Sequence, residues 1–182
     1  RAHAVLGPGI TLLVARSVGL HRKLEILDSC VTSKLLYSLD TACLSVAERR
    51  RLDGFYVRCL RRILRIAPAY YSRVSNSTVL TRAQRQPLSV RLLQRQLKLF
   101  GDLARRSHDD PVRSCIFLPG GFELRGLQNL KKGRPRKTWG KEVYSEALKV
   151  AGSSESLCEL LGSTARAQQK WRAAVNQYIN NL

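Results

Sequence analysis

The sequence predicts an all-α protein, a helical bundle followed by a basic loop and a small C-terminal helical unit. Three observations carry this expectation. Apolar residues recur at three-and-four spacing through most of the chain, the periodicity of helices with one buried face. Ser45 followed by Glu48 has the pattern of a capping box, where each side chain accepts from an otherwise unpaired backbone N–H. No stretch of any length alternates apolar and polar residues as a half-buried strand does. The 182 residues suffice for one ordinary domain or two small ones, and a hydrophobic content of 44% suits a folded chain.

Val5 to Gly19 is apolar and bracketed by Gly and Pro. From Leu20 to Leu39 one helix face carries Leu24, Leu27, Val31, Leu35 and Leu39. The helix opened by Ser45 is expected to run to about Ala67, because Pro68 forbids its continuation. Leu52, Phe55, Tyr56, Cys59, Ile63 and Ile66 make its apolar stripe, with Arg51, Arg58, Arg61, Arg62 and Arg65 on the far side. Tyr70 to Gln86 is polar, with a turn at Ser75-Asn76-Ser77 and a helical turn over Val79 to Arg85. Pro87 suits the first turn of the next helix. There Leu88, Leu92, Leu93, Leu97, Leu99, Phe100 and Leu103 form a wide apolar arc. Arg91, Lys98 and Arg105 recur every seven residues opposite it. Ser107 to Lys137 reads as loop. Thr138 then caps a helix carrying Trp139, Val143, Ala147 and Leu148, ended by Gly152. A final helix from Thr164 to about Ile179 carries Trp171, Val175 and Tyr178. The expected boundary lies in the loop near Gly120, giving units 1–119 and 120–182.

Formal net charge is +19, from 32 Lys and Arg against 13 Asp and Glu. Self-repulsion of that size opposes compaction and is relieved by a polyanion. Nucleic acid and an anionic membrane are the two candidates. No apolar run approaches the roughly 20 residues of a spanning helix, so nucleic acid is the expected partner and a membrane is not. Between Ser45 and Ser107 stand 15 Lys and Arg against three acids. An ordinary solvated helix face mixes signs, since opposite charges at i and i+4 stabilise it and like charges oppose it. A face that is nearly all Arg forgoes those pairs and offers bidentate donors to phosphate.

Other chemistry has little support in the residues. Cys30, Cys43, Cys59, Cys115 and Cys158 are scattered, with no C-x-x-C pair and none near His3, His21 or His108, which argues against a zinc knuckle here. An odd number of isolated cysteines suits a reducing compartment, nuclear or cytoplasmic. Asp109-Asp110 has the look of paired metal-holding carboxylates. Yet it follows Arg106-Ser107-His108 at a helix end and precedes Pro111, so it reads as a turn. No phosphate-cradling Gly-rich loop is present. No catalytic residue, metal ligand or cofactor is assigned. Trp139 is expected in the core, with base stacking as the alternative.

Several segments together resemble a known family. Gly19-Leu20-His21-Arg22-Lys23-Leu24-Glu25-Ile26-Leu27 through Leu35-Leu36-Tyr37-Ser38-Leu39-Asp40-Thr41 is similar to the stretch that follows the palm in LINE-type, non-LTR retrotransposon reverse transcriptases. Phe55 to Arg65 resembles the family's next helix. Ser75-Asn76 and Arg95 to Arg106 continue in order, and Gly133-Arg134-Pro135-Arg136-Lys137-Thr138-Trp139 is similar to its Gly-Arg-Pro-x-x-x-Trp element. The resemblance spans Val18 to Trp139 and departs from the family pattern at Ser38, Asp40, Ala42 and Asp102. It implies a thumb-like bundle and post-thumb region of an RNA-directed DNA polymerase, whose magnesium-binding carboxylates lie upstream of Arg1. The implied partners are the palm and fingers of the same polyprotein, and the family's zinc knuckle would lie beyond Leu182. A chain that begins at Arg1 and has no methionine fits the expectation of a fragment.

The expected function is therefore non-catalytic binding of a nucleic-acid backbone: primer-template, element RNA or target DNA. Arg51, Arg58, Arg62, Arg65, Arg91, Lys98 and Arg105 are the expected phosphate contacts, with Lys131, Lys132, Arg134, Arg136 and Lys137 as an auxiliary clamp. The alternatives are a cellular, stand-alone nucleic-acid-binding helical protein, and a helical protein-interaction module or a decayed element copy without selected function.

Overall fold

A computed structural model describes residues 17–125 and 138–182. Most of the apolar stretch Val5 to Gly19 and the whole basic run Lys131 to Lys137 lie outside these. The described chain is helical nearly throughout, its one β feature being an isolated antiparallel bridge between Phe117 and Leu124. The all-α expectation holds. The contacts divide the chain into two units, one running to Leu39 and then over Leu44–Arg91, the other made of Asp40–Cys43 and Leu92–Leu182. This differs from the boundary expected near Gly120.

The first unit begins with α1 (Leu20–Ile26), a π-helical stretch over Leu27–Thr32, and α2 (Ser33–Leu36). This run stops short of the expected Leu39: Tyr37 leaves the helix and Ser38 turns left-handed at φ 60°. Next comes α3 (Val46–Leu64), opened by the predicted capping box. The Ser45 backbone N–H donates to the Glu48 carboxylate at 2.7 Å, and Glu48 N–H donates to Ser45 Oγ at 3.3 Å. The helix ends three residues before the expected Ala67. Ile66 N–H reaches Arg61 O and Arg65 N–H reaches Arg62 O, a Schellman closure with Arg65 left-handed at φ 56°. Because Pro68 biases Ala67 away from helical backbone, the helix must close before it.

Two short helices follow, α4 (Ala69–Ser72) and α5 (Asn76–Ala83), the latter capped by Ser75 Oγ, which accepts from Thr78 N–H at 3.1 Å. The first turn of α6 (Leu88–Ala104) completes the unit. Pro87 has no side-chain acceptor to offer that helix start, and Asp53 of α3 supplies one, taking Ser89 N–H at 2.8 Å and Ser89 Oγ–H at 2.6 Å. The core is built from Leu24, Leu27, Leu36, Tyr56, Val57, Leu60, Ile63, Val79 and Leu88. The buried stripe of α3 is thus rotated from the expected one toward Val57 and Leu60, and Leu52, Phe55, Cys59 and Ile66 are half-buried.

The second unit holds the remainder of α6, then α7 (Pro111–Ser114), α8 (Trp139–Ala151), α9 (Ser154–Leu161) and α10 (Ala165–Asn180). The segment after α6 is no linker. Phe117 is buried and lies 5.3 Å from Phe100, ring to ring, and Arg113 Nε donates to Ala104 O at 3.2 Å. Burial of this segment against α6 is why the expected boundary near Gly120 is not observed. Trp171 is fully buried, its indole N–H donating to Leu97 O at 3.1 Å. Trp139, expected in the core, is half-buried; it donates to Asp40 O at 2.7 Å and stands beside Phe100. Helix α9 was not anticipated; Ser153 caps it and Leu157 and Leu161 bury its inner face. All five cysteines are free thiols.

Candidate nucleic-acid interface

The outer face of α3 is assembled by helical geometry alone. At 100° per residue, Arg51, Arg58 and Arg62 fall within about 40° of one another, and Arg65 follows as the left-handed residue that closes the helix. All four are exposed, and none forms a salt bridge among the described residues. Charge arithmetic in the first unit explains this. The chain to Leu39 together with Leu44–Arg91 carries 16 Lys and Arg against four acids. Each acid is already engaged. Glu25 pairs with Arg22 at 2.9 Å and His21 at 3.3 Å, and Asp28 with Arg91 at 2.7 Å and Arg85 at 3.3 Å. Glu48 closes the capping box and Asp53 caps α6. Among the described residues, this leaves Arg51, Arg58, Arg62 and Arg65 without a salt bridge.

Three arginines depart from the expected basic faces. Arg91 is bound to Asp28 and half-buried beside Tyr56. Burial disfavours its charge, but the hydrogen bond and field of Asp28 outweigh that and hold its pKa above the ordinary value. The same burial, reinforced by Asp28, raises the pKa of the Tyr56 phenol. Arg105 donates to Leu160 O at 3.1 Å and Gly162 O at 3.3 Å, and desolvation lowers its pKa. Both are structural and are withdrawn as phosphate contacts. Arg61, expected on the solvated side of α3, is only 6% exposed. Its guanidinium donates to Ala67 O at 3.1 Å, Ser72 Oγ at 3.3 Å, Val74 O at 2.6 Å and Asn76 Oδ1 at 3.1 Å.

Arg91 is held by a carboxylate and Arg61 by acceptors of the loop after α3, whereas Arg105 and the buried Arg113 share another logic. The carbonyls at a helix C-terminus lack partners and carry partial negative charge. A planar guanidinium with five donors satisfies several of them without a carboxylate. Arg113 does so at the end of α6, with Gly121 O at 2.8 Å and His108 Nδ1 at 2.9 Å taking its other donors. Its guanidinium also lies over the rings of Phe117 and Phe122.

Lys98 is half-exposed on α6, in the second unit. Lys131, Lys132, Arg134, Arg136 and Lys137 lie outside the described residues. Asp109-Asp110 does not fit a magnesium pair. Asp110 caps α7, accepting from Val112 N–H at 2.8 Å and Arg113 N–H at 3.2 Å, and also takes Arg106. Among the described residues no cluster of three or more His, Cys, Asp or Glu is placed to hold a metal ion, and no helix is long and apolar enough to cross a membrane.

Sequence reasoning passed over the segment following α3. Tyr70 and Tyr71 of α4 are 82% and 77% exposed, and Arg73 and Arg82 are exposed in the same unit. The available signal was a Tyr-Tyr pair in a short polar stretch, just after a proline and an arginine-rich helix. Compared with protein-family models, curated proteins and solved structures, the chain matches none.

Proposed function

We propose that this chain binds nucleic-acid backbone without catalysing a reaction, as the thumb and post-thumb part of a non-LTR retrotransposon RNA-directed DNA polymerase. The observation that carries the binding reading is the exposed face of Arg51, Arg58, Arg62 and Arg65, left without carboxylate partners in a unit of 16 basic and four acidic side chains. The family reading rests on the ordered motifs from Val18 to Trp139. In this role the arginines grip phosphates, Lys98 and the run from Lys131 to Lys137 add weaker contacts, and the palm and fingers of the same polyprotein contribute the magnesium-dependent chemistry. The working compartment is nuclear or cytoplasmic. Contacts to phosphate position a strand without reading its bases, so binding tolerates sequence.

Fluorescence anisotropy against an RNA–DNA primer-template at several salt concentrations tests the reading. Affinity falls steeply with salt, since each neutralised phosphate releases counterions. Replacing Arg51, Arg58, Arg62 and Arg65 by Gln lowers the slope of log affinity against log salt by about three to four. A slope that does not move would remove these residues from the interface. The corresponding change at Arg105 is expected to unfold its surroundings rather than alter the slope.

A further inference from the structure

We infer that Tyr70 and Tyr71 form a stacking platform for unpaired bases, so that the strand held by the α3 arginines is single-stranded where it crosses the end of that helix. The inference rests on the backbone-binding reading and specifies its ligand.

Both phenol rings stand in water, 82% and 77% exposed, edge to face with centroids 5.3 Å apart. An aromatic side chain of this size ordinarily buries 150–250 Å², and the core next to it takes Tyr56 completely. The exposure is not the slack of a loose loop. Arg61 reaches from α3 with four hydrogen bonds to Ala67, Ser72, Val74 and Asn76, bracketing the tyrosines on both sides. Within the bracket, Tyr71 N–H and Ser72 N–H both donate to Pro68 O at 3.0 Å, and Arg73 N–H to Ala69 O at 3.0 Å. The buried arginine thus ties this turn to the C-terminal end of α3, where Arg62 and Arg65 emerge, and leaves the two rings outward.

Arginines flank the aromatic pair along this stretch: Arg62 and Arg65 before Tyr70 and Tyr71, and Arg73 after them. That is the chemistry of single-strand binding, in which cations follow the phosphates and flat rings take the bases. Bases within a duplex are already stacked on both faces and cannot use such rings. A duplex can still use the arginines, so the tyrosines distinguish the two forms.

The test uses the full chain and compares an unstructured oligo-deoxythymidylate with a blunt duplex of matched length, each titrated across a salt series. Tyr70→Ala with Tyr71→Ala is expected to weaken single-strand binding by roughly ten- to hundredfold. The salt slope and the duplex affinity stay as in the unaltered chain. Tyr70→Phe with Tyr71→Phe retains binding, because the ring face is what matters; circular dichroism of both variants reports an unchanged fold. Steep, salt-dependent binding of both probes that neither pair of substitutions alters overturns the stacking platform and leaves the arginine reading standing. Equal losses on single strand and duplex overturn it too. No salt-dependent binding of either probe overturns both readings, and would assign the exposed tyrosines to a protein partner.

Discussion

At the scale of single residues, the two interior helix glycines have opposite roles. Gly54 lies in α3 with open space where a Cβ would stand, so it contributes only conformational freedom to the unfolded chain. Gly54→Ala is expected to stabilise by about 0.5–1 kcal/mol. Gly101 lies in α6 beneath Trp171, and a Cβ there would meet the indole Nε1 at 2.3 Å and Cδ1 at 2.6 Å. The ring cannot retreat without giving up its bond to Leu97 O. Gly101→Ala is expected to destabilise by about 1–3 kcal/mol, the range of an overpacked core. Urea midpoints of the two variants check the pair, and a shared sign would contradict the packing described around one of them.

Elements here are held mainly at their ends. Ser45 and Glu48 open α3, Asp53 opens α6, Asp110 opens α7, and buried arginines take the free carbonyls of α6 and α9. The cap carboxylates make stability depend on pH in a predictable direction. Glu48 has a lowered pKa, first through the Ser45 hydroxyl, then the Ser45 amide, with Arg51 assisting. For Asp110, partial desolvation works upward, but the Val112 and Arg113 amides and Arg106 bring the pKa below its ordinary value. A carboxylate whose pKa falls on folding adds stability that is complete above its unfolded pKa, about 4. That stability is lost as pH falls through the folded value. Thermal midpoints are therefore expected to fall with acid below about pH 4 through these groups. With Glu48→Gln and Asp110→Asn together the acid limb becomes shallower, whereas an identical limb would mean that other carboxylates set it.

For the whole molecule, charge opposes folding. A net +19, with arginines at i and i+4 along α3 (Arg58 and Arg62), places like charges where each such pair is destabilising by about 0.2–0.5 kcal/mol. Added monovalent salt should screen this repulsion and raise the melting temperature from its low-salt value. Replacing Arg51, Arg58, Arg62 and Arg65 by Gln is expected to leave the chain at least as stable as before at low salt while it binds nucleic acid less well. Differential scanning fluorimetry beside the anisotropy series separates the two effects. A marked loss of low-salt stability would show that these arginines support the fold, as Arg61, Arg105 and Arg113 do.

Local rules were sufficient for the helical periodicity, the capping box at Ser45, the stop imposed by Pro68, the Gly152 terminus and the outward face of Arg51, Arg58 and Arg62. Each depends on residues within one or two turns of each other, and the sequence alone determined them. It could not tell a solvated arginine from a buried one. Arg61 sits in the same run as Arg58 and Arg62, and Arg91 and Arg105 share a heptad position with Lys98. Their environments differ because of groups far along the chain: Val74 and Asn76 for Arg61, Asp28 for Arg91, Leu160 and Gly162 for Arg105. The unit boundary after Arg91 and the outward set of Tyr70 and Tyr71 are likewise tertiary decisions. Which cations remain free for a ligand depends on which carbonyls and carboxylates folding brings within hydrogen-bonding reach, and no local pattern encodes that.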